Sequence, residues 1–252
     1  MKTKVTIVGY GIMGRAIAKA IYQNSKNNKG NSIQVFGVDK DDNMESVKTS
    51  RFVILSVKPQ DKKEAVNDMK KYLNKDSVLI SVLAGTTIKN IHHMSGHKKI
   101  IRMMPNLGLS VSEGIATWIS FGLSNREKSE AKKFLDIITE NFETKREDVL
   151  DKTTAISGSG PAYFFMLSDS LVKACKKMGL KEKEARKLVE KTFSAAAILG
   201  KKEDYSAIIK KVASKGGTTE AAIKSFKKGN FERIVEDAVM AAYERAKELS
   251  KK

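Results

Sequence analysis

The stretch Lys4-Val5-Thr6-Ile7-Val8-Gly9-Tyr10-Gly11-Ile12-Met13-Gly14-Arg15 decides how this chain is read. Lys4 to Val8 is a short β-branched run, the composition of a strand. Arg15 to Tyr22 follows with Ile17, Ala18 and Ile21 on one helical face. Between them Gly9, Gly11 and Gly14 form G-x-G-x-x-G, so the order is strand, tight turn, helix. Each glycine answers a different need. Gly9 permits the turn, Gly11 lets a pyrophosphate approach the backbone, and Gly14 lets the helix pack against the strand. The free N–H groups and positive end of the helix then face the phosphates. The bland alternative is a structural turn. The strand–turn–helix context favours a dinucleotide site built from Gly9, Tyr10, Gly11, Ile12, Met13 and Gly14.

Outward from this unit, Ile33 to Val38 reads as a second strand ending in Asp39-Lys40. An acidic residue there suits a ribose diol and repels a 2′-phosphate, whereas Lys40 can pair with one. Thirteen residues, Asp39 to Arg51, then lead to the apolar run Phe52 to Val57. That run has the pattern of a strand buried on both faces. A crossover helix plus another strand does not fit in thirteen residues, so a trimmed sheet is expected, with at most a short helix near Met44 to Lys48.

Ligands in open α/β sheets lie beyond the carboxyl ends of the strands, which makes Val57-Lys58-Pro59 a candidate pocket wall. A helix (Asp61 to Leu73) and a strand (Ser77 to Val82) come next, then a short helix capped by Thr86 or Thr87. His92, His93 and His97 near its end have no Cys or acidic partner at ligand spacing and read as exposed residues, not a metal site. Lys99 to Met103 is a strand leading to Arg102-Met103-Met104-Pro105-Asn106, and Ile115 to Phe121 is another. Asn125 to Thr139 is an amphipathic helix capped near Ser124, with Phe134, Leu135 and Ile138 inward. Phe142 to Lys145 is the last candidate strand.

From Thr153 onward only helical patterns appear. Ser157-Gly158-Ser159-Gly160-Pro161 reads as a flexible turn with Pro161 at the first helical position. Helices follow to about Met178, from Lys183 to Leu199 and from Ser206 to Val212. Another runs from the Ser214-Lys215-Gly216-Gly217-Thr218-Thr219 turn to near Gly229, and the last spans Phe231 to Leu249. The last carries Phe231, Val235, Ala238, Val239, Ala242 and Ala246 as one stripe. Long Ala-rich helices of this kind need a partner to bury against, so a dimer is expected.

Composition narrows the classes. The 252 residues suffice for one or two domains. No stretch approaches the ~20 apolar residues of a membrane span. The strand beginning near the N-terminus leaves no room for a signal peptide. The only cysteine, Cys175, lies in a helical run and reads as a small core residue in a reducing cytoplasm. The net charge of +18 raises the question of nucleic acid. Yet residues 1–150 carry 25 basic and 16 acidic side chains and residues 151–252 carry 22 and 13, a surplus of nine in each. An evenly spread charge with no basic tail is a Lys-rich solvated surface, and it steers anionic ligands toward the protein.

Five motifs stand in order: Gly9-Tyr10-Gly11-Ile12-Met13-Gly14, Val57-Lys58-Pro59, Arg102-Met103-Met104-Pro105-Asn106, Ser157-Gly158-Ser159-Gly160-Pro161-Ala162-Tyr163 and Ser214-Lys215-Gly216-Gly217-Thr218-Thr219-Glu220-Ala221. Together they resemble the pyrroline-5-carboxylate reductase family over almost the whole chain. The resemblance implies an α/β fold. An N-terminal Rossmann-type dinucleotide-binding domain (1–150) is followed by an all-α dimerisation and substrate-binding domain (151–252). It implies a homodimer, or a larger homo-oligomer built from it, with no nucleic-acid or membrane partner. The family reduces the cyclic imine of 1-pyrroline-5-carboxylate to L-proline with NADPH or NADH, the last step of proline synthesis. The matching cofactor residues are Gly9 to Gly14, Asp39, Lys40, Val57, Lys58, Pro59 and Asn106.

A protonated cyclic imine accepts hydride directly, so the protein must mainly orient it and hold its carboxylate. Gly216, Gly217, Thr218, Thr219 and Ser159 are the candidate substrate residues. Amides at a helix start suit a carboxylate, and the hydroxyl of Thr219, or of Thr218 beside it, can reach the ring nitrogen. Three departures stand out. Leu107-Gly108 replaces the usual Thr-Pro, Lys215 replaces the Pro before Gly-Gly, and the region after Asp39 is short. The first two are expected to loosen loops near the site. Beside an NAD(P)-binding imine reductase of other specificity, the competing classes are a β-hydroxy-acid dehydrogenase, which needs a helix lysine as acid, and a dinucleotide-sensing protein without turnover. A basic nucleic-acid binder is the third.

Overall fold

The computed structural model describes residues 2–27 and 32–250; the expected domain ends at Met1 and Lys252 lie outside them. One seven-stranded sheet organises the first part of the chain, in the order β2-β1-β3-β4-β5-β6-β7. The strands are β1 (Thr3–Val8), β2 (Ile33–Val38), β3 (Phe52–Leu55), β4 (Val78–Ser81), β5 (Ile100–Pro105), β6 (Ile115–Phe121) and β7 (Glu140–Glu143). All pairings are parallel except β5 with β6. β2 is an edge strand, and the strand that follows it pairs on the far side of β1. The sheet is therefore trimmed beyond β2, and the short connection holds only α2 (Glu45–Thr49).

Helices α1 (Ile12–Asn27) and α5 (Asn125–Ile138) cover one face, where Ile7, Ile17, Ile21, Phe52, Trp118, Phe134 and Leu135 form a core. On the other face α3 (Lys62–Lys70) and α4 (Ile88–Ser95) pack with Val53, Leu55, Val66, Met69, Leu79 and Ile91. β3 and β4 are buried at every position, as their unbroken apolar runs require. Local chemistry sets the helix ends. Thr87, not Thr86, caps α4 by accepting from the Asn90 amide. Ser124 and Glu127 form a reciprocal capping box at α5.

Lys99 and the cap hold the Glu127 carboxyl down to about 2, the Lys99 hydrogen bond contributing most. Because the folded pKa lies below the unfolded one, this stabilisation is present above about pH 4.5 and lost as pH falls toward 2. Melting of wild type and Glu127→Gln across pH 2–6 should therefore differ most at the upper end and converge at the lower.

Four expectations are corrected. The last strand starts two residues earlier than Phe142, because Glu140 to Glu143 pair with Ile115 to Trp118. His97 is buried rather than exposed and His92 is half-buried. The His97 Nε2 bonds the Ser77 carbonyl at 2.9 Å, and its own carbonyl meets His92 Nδ1 at 2.7 Å. Burial pushes the His97 pKa down, against the hydrogen bond to Ser77.

The Ser157–Pro161 segment is no flexible turn. α6 (Asp148–Thr153) runs through a π turn (Thr154–Gly158) into α7 (Gly160–Lys177), with Ser159 N donating to Thr154 O at 2.9 Å. A widened turn relieves the clash of Pro161 with the carbonyl four residues back. Finally, Cys175 is a half-buried free thiol, not a core residue.

Tertiary contacts divide the chain into two compact units, residues 1–161 with 241–252, and residues 162–240. The second unit holds most of α7, then α8 (Glu182–Gly200), α9 (Tyr205–Val212), α10 (Thr218–Lys228) and the first half of α11 (Phe231–Ser250). Its buried hydrophobic residues are Ala185 and Val189, while Phe164, Phe165, Met166, Ile198, Ile234 and Met240 are exposed. Among the described residues no helix is long and apolar enough to cross a membrane.

Candidate dinucleotide and substrate sites

The carboxyl ends of β1, β2 and β3 converge on the glycine-rich turn. Gly9 N donates to Val38 O at 2.8 Å, and Ser56 N to Val8 O at 2.8 Å. Gly9 has φ +92°, and a Cβ there would stand 2.6 Å from Val57 N. At Gly14 a Cβ would stand 2.3 Å from Gly9 O. A Cβ at Gly11 would meet nothing within 4 Å, which leaves the turn open on that side. These are the surroundings of a turn residue, a packing residue and an approach residue. The first turn of α1 carries no acidic side chain, so its amide groups keep their positive field for an anion. The residues thus fit a dinucleotide.

Around this cradle, Tyr10 N donates to Asp39 Oδ1 at 2.7 Å, which draws the end of β2 onto the turn. The Tyr10 ring lies over Gly37, where a Cβ would come within 2.4 Å of it, and Arg15 covers the ring at 4.9 Å. Lys40 pairs with Glu64 at 3.0 Å. Val57 is half-buried, and Lys58 and Pro59 are exposed at the β3 exit. Asn106, after β5, accepts from Ile115 N at 3.2 Å through Oδ1. The structure thus gathers Gly9 to Gly14, Asp39 and Val57. Gly37 was not singled out from sequence, although a glycine inside an edge strand signals close approach of another group.

The expected loosening of the two loops is not found. Gly108 lies in a 3-10 turn (Leu107–Val111), where a Cβ would stand 2.5 Å from Glu113 O, and Leu109 beside it is buried. Gly108 therefore allows close packing. In the second unit Gly216 has φ +73° and donates to Glu220 Oε2 at 2.6 Å, while Gly217 N donates to Ser214 O at 3.0 Å. These bonds pin the turn with Lys215 exposed. Gly217 is the N-cap of α10 and supplies no side chain. No side chain caps the helix start, which carries the exposed Thr218, the half-buried Thr219 and, in its first turn, Glu220. Ser159, in the first unit, is half-buried beyond the π turn.

One group escaped sequence reasoning. Arg102 is fully buried in β5. It donates to Glu147 Oε1 at 3.0 Å and Asp151 Oδ1 at 2.8 Å. Glu147 Oε1 also accepts from Ile88 N at 2.7 Å, and Asp151 Oδ1 from Ser250 Oγ at 3.1 Å. The network ties β5, α4, α6 and the end of α11 within the first unit. Its signal was an arginine inside an apolar strand, with two acids spaced i, i+4 far along the chain.

A doubly wound unit with a glycine cradle at its strand ends, followed by a helical unit with a bare apolar surface, defines a two-part dinucleotide-binding protein. Residues 4–85 match the model described as NADP oxidoreductase coenzyme F420-dependent, and residues 147–249 match pyrroline-5-carboxylate reductase dimerisation. The pyrroline-5-carboxylate reductase of Arabidopsis thaliana is 33% identical over 98% of this chain and 95% of its own. The solved Plasmodium falciparum enzyme, with NADP bound, superposes with a TM-score of 0.87 at 28% identity, covering 98% of both chains. That of Coxiella burnetii gives 0.83 at 30% identity over the full length of both. The chain belongs to the pyrroline-5-carboxylate reductase family.

Proposed function

We propose that the protein reduces 1-pyrroline-5-carboxylate to L-proline with hydride from NADPH or NADH. The observation that carries this is the uncapped start of α10, where the Glu220 carboxylate is engaged by the Gly216 amide. Its N-cap, Gly217, brings no capping side chain, and two threonines follow. Such a helix start binds a carboxylate through its amides. The reaction adds hydride to the imine carbon and a proton to the ring nitrogen. Bound nicotinamide supplies the hydride.

The chain's own residues do the rest. Gly9 to Gly14, with Asp39, Lys40, Val57, Lys58, Pro59 and Asn106, hold the dinucleotide. Gly216, Gly217, Thr218 and Thr219 of the second unit hold the substrate, and the Thr219 or Thr218 hydroxyl orients the ring nitrogen. No strong nucleophile is needed, so positioning carries most of the catalysis.

The functional domains are taken as 1–150 and 151–252. Phe164, Phe165, Met166, Ile234 and Met240, exposed on the helical unit, support a homodimer built from it. The single free thiol, Cys175, suits a reducing cytoplasm.

The direct test is oxidation of NADPH and NADH with and without 1-pyrroline-5-carboxylate, with proline measured as product. Cofactor binding without substrate-dependent oxidation would sink this reading and favour a sensing role. For Thr219→Ala, kcat/KM is expected to fall about 10–100-fold, the loss of one hydrogen bond to a charged group. Thr219→Ser should recover most of it, and dinucleotide affinity should hold. Unchanged kinetics would remove Thr219 from the site.

A further inference from the structure

We infer that Asp39 makes this chain prefer NADH over NADPH. The inference rests on the dinucleotide-binding reading above and concerns the adenosine end of that site. Asp39 closes β2, the position whose side chain meets the adenosine ribose in this fold class. Its carboxylate is oriented rather than free to turn away, because Oδ1 accepts the Tyr10 amide at 2.7 Å. Among the described residues Oδ2 has no partner, which leaves one acceptor for a ribose diol.

The surroundings add negative charge. Asp42 Oδ2 accepts the Asp39 amide at 2.7 Å, and Asp41 sits between them with φ +70°. A 2′-phosphate brought to this turn meets three carboxylates. Two cations stand nearby. Lys40 is paired with Glu64 at 3.0 Å, and Arg15 lies over the Tyr10 ring at 4.9 Å. Arginine in this region is the usual donor to a 2′-phosphate, and no arginine stands between Gly37 and Ser50. Lys40 can act for NADPH only by leaving Glu64.

The test is equilibrium binding of NADH and NADPH to the purified protein without substrate, by calorimetry. Wild type is expected to bind NADH at least about tenfold tighter, as like-charge repulsion at such a turn allows. Asp39→Asn keeps an acceptor for the Tyr10 amide and removes the charge. It should narrow the ratio to about threefold or less, mainly through tighter NADPH binding. Glu64→Gln, which frees Lys40, should tighten NADPH alone.

Equal or tighter NADPH binding by wild type overturns the inference, as does an Asp39→Asn ratio that does not move. Failure to bind either nucleotide overturns it together with the dinucleotide reading. NADH-preferring binding without turnover of 1-pyrroline-5-carboxylate supports the inference and overturns only the proposed reaction.

Discussion

Gly14→Ala is expected to weaken dinucleotide binding by about 5–150-fold, the equivalent of about 1–3 kcal/mol of overpacking strain. The added Cβ would stand 2.3 Å from Gly9 O and 3.2 Å from Ile7 Cγ2. Both neighbours belong to the strand–turn unit, and a Cβ has no rotamer by which to escape. The strain is relieved only by lifting the start of α1 away from β1, which spoils the amide cradle. Gly11→Ala separates packing from binding. No atom lies within 4 Å of its Cβ, so the protein should melt at the wild-type temperature while losing affinity for the phosphates. Thermal melts paired with nucleotide titrations read both. A Gly14→Ala protein binding as well as wild type would show that the helix start is not the cradle.

Arg102→Met is expected to cost about 3–5 kcal/mol of stability, because it leaves two acids without their buried cation. Asp151 is nearly buried and Glu147 partly so, with side-chain exposures of 11% and 31%. Glu147 is the more easily rescued by water, so most of the loss should trace to Asp151. Adding Asp151→Asn to Arg102→Met should return part of it. Denaturant unfolding of the single and double variants measures the coupling. A loss under about 1 kcal/mol would mean that the network adds little to the first unit.

Much of the fold was legible in the sequence, for local reasons. Thr6, Ile7 and Val8 before Gly9, and Ile17 and Ile21 after Gly14, carry period and turn chemistry in adjacent residues. The caps at Ser124 and Thr87 are equally local, since a cap bonds an amide three residues on. What misread was decided by distant partners. His97 looks exposed until Ser77, twenty residues back, receives its ring. Ser157 to Pro161 has the composition of a loop, yet α6 runs directly into it and the π turn carries the helix past proline. The candidate site divides the same way. The glycines of the cradle and the helix start at Gly217 follow from spacing, whereas Gly37 and the pinning of Asp39 do not.

By itself the sequence determined the elements, their order, the glycine turn and the bare apolar stripe of the last helix. All are set by the periodicity of side chains and by backbone freedom within a few residues. Only the tertiary structure decided which charges meet. Arg102 finds Glu147 and Asp151 at separations of 45 and 49 residues, and Asp39 finds the Tyr10 amide across 29. A lone charge in a sequence carries no mark of its partner. Sheet order and helix packing bring the two together, and at Arg102 burial then makes the pairing worth more than it would be in water.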